Sequence, residues 1–84
     1  MLAILYSKTA IKALRKIPQA QEQRIRASID KVAANPRDPS LDIKAMVGEP
    51  YLRLRVGDYR VTFTEDGKVL RIVKIGPRGS VYKK

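Results

Sequence analysis

Residues 51–75, YLRLRVGDYRVTFTEDGKVLRIVKI, decide the fold, because along most of this stretch apolar and polar side chains alternate with a period of two. That period is typical of a β-strand with one buried and one exposed face. Two Gly/Asp turn sequences, at 57–58 and 66–67, interrupt the alternation. The stretch therefore predicts three consecutive strands, at residues 51–56, 59–64 and 69–75.

The residues before this stretch predict one more strand and two helices. Residues 2–6 are an apolar run typical of a strand, and Ser7 can cap a helix over 8–17 that ends at Pro18. A second amphipathic helix follows and ends at Asn35, because a residue before proline avoids the helical conformation. Residues 36–49, with two prolines, are predicted to be a loop.

These elements predict a single α+β domain over residues 1–84. A helical hairpin packs on one face of a small, mostly antiparallel sheet, in the order β-α-α-β-β-β. The helices cover one face, so polar residues of the strands line the other.

Composition points to a nucleic-acid partner and restricts the chemistry. The net charge of +10 on 84 residues attracts polyanions, although charge alone also serves solubility. The chain has no Cys and no His, and its eight Asp and Glu residues are scattered, so we expect no metal and no cofactor. The longest apolar runs are too short for a membrane span or a signal peptide. We therefore expect a cytoplasmic protein without a membrane partner.

Strand alternation places several arginines on one predicted surface. Arg53 and Arg55 share a face with Tyr51, and Arg60 falls on the same side of the next strand. In the third strand the pattern is mixed, because Arg71 shares its parity with apolar residues, and we expect the sheet to be covered on both sides there. Two tail residues that could fold over its end complete a predicted cluster: Arg53, Arg60, Arg78 and Tyr82.

Such a cluster suits cleavage of an RNA backbone. The 2′-hydroxyl attacks the adjacent phosphate, and guanidinium groups stabilise the charge that develops on the phosphoryl oxygens. A tyrosine or lysine among cations can supply proton transfer. A run of arginines on a strand is more often a solvated face, so the prediction rests on their occurrence together with the tail.

Two motifs resemble the RelE/ParE superfamily of toxins. Residues 51–61, YLRLRVGDYRV, resemble that family's strand pair, Tyr-Arg-Leu-Arg-x-Gly-x-Tyr-Arg, and residues 75–82, IGPRGSVY, resemble its ending, Gly-His-Arg-x-x-Val-Tyr. Residues 7–16 and 43–46 also fit, so the resemblance covers nearly the whole chain. The chain departs from the family pattern at Pro77, where many family ribonucleases have histidine, and at Tyr51, where some members have lysine.

The resemblance implies a toxin that is neutralised by a small cognate antitoxin, with which it can form a hetero-oligomer. RelE-like members cut mRNA in the ribosomal A site and inhibit translation, whereas ParE-like members poison DNA gyrase. A non-catalytic nucleic-acid-binding module is the third possibility. The family's working residues carry over to Lys44, Arg53, Arg60, Arg78 and Tyr82, and this set favours the ribonuclease.

The resulting hypothesis is a metal-independent, ribosome-dependent mRNA endoribonuclease with nine assigned residues. We expect Arg53 and Arg78 to stabilise the scissile phosphate, Arg60 to neutralise charge or activate the nucleophile, and Tyr82 to act as general acid or base. The remaining residues are expected to bind RNA: Lys44, Tyr51, Arg55, Lys74 and Lys83.

Overall fold

The computed structural model describes residues 1–45 and 48–77. Within them the chain forms five strands and two helices, in this order: β1 (Ala3–Tyr6), α1 (Lys8–Lys16), α2 (Gln19–Ala34), β2 (Asp42–Ala45), β3 (Leu52–Val56), β4 (Tyr59–Glu65) and β5 (Val69–Pro77). The predicted α+β fold is confirmed, and most predicted bounds agree with these to within two residues. Among the described residues, no helix is long and apolar enough to cross a membrane.

The five strands form one sheet in the order β1-β5-β4-β3-β2. The pairs β2–β3, β3–β4 and β4–β5 are antiparallel, and β1 runs parallel to β5. The sheet is therefore mostly antiparallel, as predicted. Because β1 joins the sheet beside β5, the first and last strands of the described chain are neighbours.

The hydrophobic core lies between the helices and one face of the sheet. Helix α1 contributes Ala10 and Leu14, and α2 contributes four more buried residues. The sheet side is lined by buried residues of β3, β4 and β5: Leu54, Val56, Val61, Phe63, Leu70, Ile72 and Ile75. This packing leaves the opposite side of the sheet, called the open face below, for the remaining side chains of each strand.

Ser7 begins α1 and also ties it to the sheet. Its hydroxyl oxygen accepts a hydrogen bond from the Ala10 N–H at 3.0 Å, and the hydroxyl donates to the Val73 carbonyl oxygen at 2.7 Å. The predicted N-cap is thus confirmed. The second bond, made across 66 residues of sequence, fixes α1 against β5.

We expect Ser7→Ala to lower the free energy of unfolding by about 1 to 2 kcal/mol, because both the helix cap and the bond to β5 are lost. Urea unfolding followed by circular dichroism measures this change. Ser7→Thr keeps a hydroxyl and is the matched control. Equal stability of the alanine variant and the parent would show that the cap contributes nothing.

The prediction of a loop over residues 36–49 is wrong for residues 42–45, which form β2. This strand lies at the edge of the sheet and pairs with β3, with Lys44 opposite Arg53. Leu41 and Ile43 pack against the core while Asp42 and Lys44 are exposed. A period-two signal was therefore present, but four residues beside two prolines are too few to distinguish a strand from a loop without the partner strand.

The expectation that the sheet is covered on both sides at the third predicted strand is also wrong. Phe63 pairs with Ile72 while Thr62 pairs with Lys74, so Val73 is an extra residue, a β-bulge. Past the bulge, the parity of β5 reverses. Ile75 joins the core, and both Arg71 and Lys74 are exposed on the open face.

The β4–β5 turn is organised by the Asp66 carboxylate. It accepts hydrogen bonds from the Lys68 N–H at 2.9 Å and the Val69 N–H at 2.8 Å. These bonds, the one from Val69 first, lower the pKa of Asp66 below its ordinary value of 3.8. Gly67, with φ of 90°, supplies the left-handed conformation that the turn needs.

A lowered carboxyl pKa means that Asp66 stabilises the fold above the pKa of the unfolded chain. This contribution is lost as the pH falls through the folded-state pKa, below pH ~3.8. We expect Asp66→Asn to flatten part of the acid dependence of unfolding in that window. Carboxyl ¹³C NMR of the parent measures the pKa directly, and a value above 3.8 would contradict the assignment.

Candidate nucleic-acid interface

The open face is built from β2, β3, β4 and β5, and strand register places its cations side by side. Lys44 lies opposite Arg53, and Arg55 lies opposite Arg60. Paired residues of antiparallel strands have Cα atoms about 5 Å apart, so four positive side chains rise from one small area. The alternation of β3 explains this arrangement, since its leucines and valine turn to the core.

These side chains enclose a cavity of about 80 Å³, which we call the basic cavity. Within residues 1–45 and 48–77, its lining residues are Asp42, Lys44, Arg53, Arg55 and Arg60. Four cations and one carboxylate leave the cavity with an excess positive charge. Because like charges held this close repel one another, an anion that enters between them is stabilised. Arginine forks match the oxygens of a phosphate group, so the cavity suits an RNA phosphate.

Asp42 is the residue of this cavity that sequence reasoning missed. It pairs with Arg55 in the sheet and brings the one carboxylate among the lining residues. The alternation of Leu41, Asp42, Ile43 and Lys44 was the signal that could have found it. An acidic group here limits the repulsion between the cations in the free protein.

Four of the nine predicted site residues meet in the basic cavity: Lys44, Arg53, Arg55 and Arg60. Lys74 lies on the same open face, opposite Thr62, which in turn lies opposite Arg53. Tyr51 precedes β3 and is half-buried, outside the cavity lining. The remaining three predicted residues, Arg78, Tyr82 and Lys83, lie outside the described residues.

The strand β5 brings the chain to the basic cavity just before these tail residues. Gly76 pairs with Arg60, and Pro77, which pairs with Tyr59, is the last residue described. Pro77 stands where many family ribonucleases have histidine, so no imidazole is available there. Within residues 1–45 and 48–77, no group of three or more acidic side chains is arranged to hold a metal ion.

Comparison with known proteins agrees with this fold. The family model described as the ParE toxin of the type II toxin-antitoxin system matches residues 4–82. The toxin RelE3 of Methanocaldococcus jannaschii is 31% identical over 84 residues, and the alignment covers 96% of each protein. Both matches extend over nearly the whole chain.

Solved structures give the same result. A chain of the RelB-RelE antitoxin-toxin complex from Methanococcus jannaschii is 30% identical and superposes with a TM-score of 0.78, covering 93% of this chain and 94% of that one. For the archaeal RelE-RelB complex from Pyrococcus horikoshii the identity is 30% and the TM-score 0.80, with 93% and 96% covered. The chain therefore belongs to the RelE/ParE superfamily of toxins of type II toxin-antitoxin systems.

Proposed function

We propose that this toxin is a single-domain, ribosome-dependent endoribonuclease that cleaves mRNA in the cytoplasm and thereby inhibits translation. The observation that carries the proposal is the basic cavity, in which Lys44, Arg53, Arg55 and Arg60 converge on the open face. The similarity to a RelE toxin over the whole chain supports the same activity.

In the proposed reaction the 2′-oxygen of one nucleotide forms a bond to the adjacent phosphorus, and the bond from phosphorus to the 5′-oxygen breaks. Arg53 and Arg78 hold the phosphoryl oxygens, where negative charge increases in the transition state. Arg60 neutralises further charge or lowers the pKa of the attacking hydroxyl. Tyr82 receives the proton from the 2′-hydroxyl or donates one to the leaving 5′-oxygen.

The ribosome contributes alignment in this proposal. In-line attack requires the 2′-oxygen, phosphorus and 5′-oxygen to be nearly collinear, and a flexible strand reaches that geometry rarely. A-site mRNA is already held by the ribosome. The toxin then needs side chains that bind the RNA backbone. We assign this role to four cations and to Tyr51, which contributes a polar ring: Lys44, Arg55, Lys74, Lys83 and Tyr51.

We further propose a cognate antitoxin as the physiological partner. The solved relatives from two archaea are complexes of RelE with RelB. A chain with a net charge of +10 attracts a protein segment of opposite charge. An antitoxin that binds only the folded toxin would raise the stability of the toxin. Coexpression with the gene beside it should rescue growth and yield a copurifying complex.

A ParE-like gyrase poison is the second candidate, because the family model that matches residues 4–82 is that of the ParE toxin. Such a poison uses the fold for binding and has no chemical step. The two candidates differ in the first damage that a cell suffers when the toxin is expressed.

Induced expression, with transcripts and chromosomal DNA followed in the same culture, separates them. Rapid cleavage of transcripts without double-strand breaks supports the endoribonuclease. Double-strand breaks and altered supercoiling with intact transcripts would overturn it in favour of gyrase. Normal growth, with transcripts and DNA both intact, would support the third candidate, a non-catalytic nucleic-acid-binding module.

We expect cleavage on programmed ribosomes to persist after treatment with a transition-metal chelator, with magnesium held high enough to keep the ribosomes intact. The expectation follows from the absence of His and Cys and from arginine-based stabilisation of charge. Single-turnover cleavage before and after chelation is the measurement. An activity that one added transition metal restores would contradict it.

A further inference from the structure

A second cavity lies between β1 and β5, away from the cations of the basic cavity. It is lined by Leu5, Tyr6 and Ser7 from the end of β1 and its junction with α1, and by residues 71–73 of β5. Its volume is about 170 Å³, roughly twice that of the basic cavity. A cavity of about 150 Å³ binds benzene, so this space can admit a group the size of an aromatic ring.

Two side chains of this cavity belong to the open face. Leu5 pairs with Arg71, and Arg71 pairs with Thr64 across the next strand. Their sheet neighbours Ile4 and Leu70 pack in or against the core, so Leu5 and Arg71 turn the other way. Leu5 is 48% exposed on this face.

The pairing of an exposed leucine with an arginine selects a particular kind of ligand. A free phosphate gains nothing from the leucine, and a simple hydrocarbon gains nothing from the guanidinium. A flat, polar ring uses both, because aliphatic carbon packs against one part of it and a guanidinium plane stacks on another. Unstacked bases of single-stranded RNA are held by this combination of contacts.

The position of the cavity relative to the basic cavity fits a continuous strand. Only β4 separates β5 from β3, and Arg71 lies two residues along the sheet from the register row of Arg53, Thr62 and Lys74, so Arg71 and Arg53 are about 12 Å apart. Lys74, on β5, lies opposite Thr62 and continues the positive surface between them. A few nucleotides of single strand can cross this distance with the phosphates on the cations.

We propose that the Leu5–Arg71 cavity binds an unstacked base of the mRNA close to the scissile phosphate. This inference rests on the proposed function, since it takes mRNA as the strand that crosses the open face. It assigns Leu5 and Arg71 to base binding, a task separate from the phosphate contacts of the basic cavity.

The test combines protein variants with mRNAs that each lack one base. Programmed ribosomes carry an mRNA whose A-site codon has 2′-deoxy sugars, so binding is measured without cleavage. A series of these mRNAs has an abasic nucleotide at one position within or beside that codon. The affinity of the toxin for these ribosomes is measured for the parent, for Leu5→Gln and for Arg71→Lys. The lysine retains the positive charge but lacks the planar guanidinium group that stacks on a base. Ile11→Gln, on exposed α1, is the matched control for loss of an exposed apolar side chain.

We expect Leu5→Gln and Arg71→Lys to bind the intact mRNA about tenfold more weakly than the parent. On the mRNA that lacks the base held in the cavity, this difference should disappear, whereas it should persist on the others. Ile11→Gln should give the same ratio to the parent on every mRNA. Arg71→Lys keeps the test valid if thermal melting shows that Leu5→Gln is unfolded.

Two results would overturn the proposal. One is a ratio of variant to parent affinity that stays the same whichever base is missing. The other is unchanged mRNA affinity together with weakened binding of the antitoxin, which would make the cavity a peptide site. Cleavage of unmodified mRNA is measured separately. Normal cleavage together with mRNA binding that does not depend on Leu5 would exclude base binding in this cavity without contradicting the endoribonuclease activity. mRNA affinity that depends on the base, without cleavage of the mRNA, would exclude the endoribonuclease activity without contradicting base binding in the cavity.

Discussion

Arg53→Ala is expected to lower the single-turnover cleavage rate on saturated ribosomes by about 10²–10³-fold, the usual effect of removing one preorganised donor that stabilises transition-state charge. Arg53 lines the basic cavity and lies opposite Lys44 in the sheet. Its strand neighbours on the core side are Leu52 and Leu54, so truncation of the arginine should leave the core intact. Alanine at Arg78 or Tyr82 is expected to have an effect of the same order.

Lys74→Ala is the matched control, because it removes one cation from the same open face outside the basic cavity. We expect weaker and more salt-sensitive binding of ribosomes, with a modest loss of rate at saturation, since backbone contacts are shared among many cations. Arg55→Ala should behave in the same way. Parental cleavage by folded Arg53→Ala would exclude Arg53 from the reaction.

The contrast between these variants also bears on the gyrase candidate. A poison with no chemical step has no rate constant for a single substitution to lower, so Arg53→Ala would alter toxicity only through binding or folding. A large fall in cleavage rate with unchanged ribosome affinity is therefore evidence for chemistry on the open face.

Phe63→Ala is expected to destabilise the domain by about 3–5 kcal/mol. Phe63 is only 1% exposed and is the largest fully buried side chain among the described residues. It lies in β4, between the two strands that pair with it, so neighbouring side chains cannot collapse far into the space left behind. Small domains have about 5–15 kcal/mol in total, so the variant should lose a large part of its stability.

Urea unfolding at constant temperature measures this loss. Lys68→Ala, an exposed change in the β4–β5 turn, is the control and should shift stability by less than about 0.5 kcal/mol. A loss below about 1 kcal/mol in Phe63→Ala would show that the core rearranges to fill the cavity. Added antitoxin should recover part of the stability, since a ligand of the folded form shifts the equilibrium toward it.

Much of the basic cavity could be predicted because its signals are local. The alternation in residues 51–64 placed Arg53, Arg55 and Arg60 on one side, and the register of β3 with β4 confirms that placement. For Lys44 the family resemblance predicts a functional residue, and the sequence pattern predicts that it lies in a loop. Its true position in β2, opposite Arg53, depends on a strand pairing that residues 42–45 do not reveal by themselves.

The sequence alone determined the elements whose causes lie within a few residues: the Ser7 cap, the helix ends at Pro18 and Asn35, the strand alternation and the excess of positive charge. Tertiary structure decided what depends on a partner strand. The bulge at Val73 exists because β5 must pair with β4 and still bury Leu70, Ile72 and Ile75, and it brings Arg71 and Lys74 to one face. The parallel pairing of β1 with β5 then sets Leu5 beside Arg71, residues 66 positions apart that no local pattern could relate.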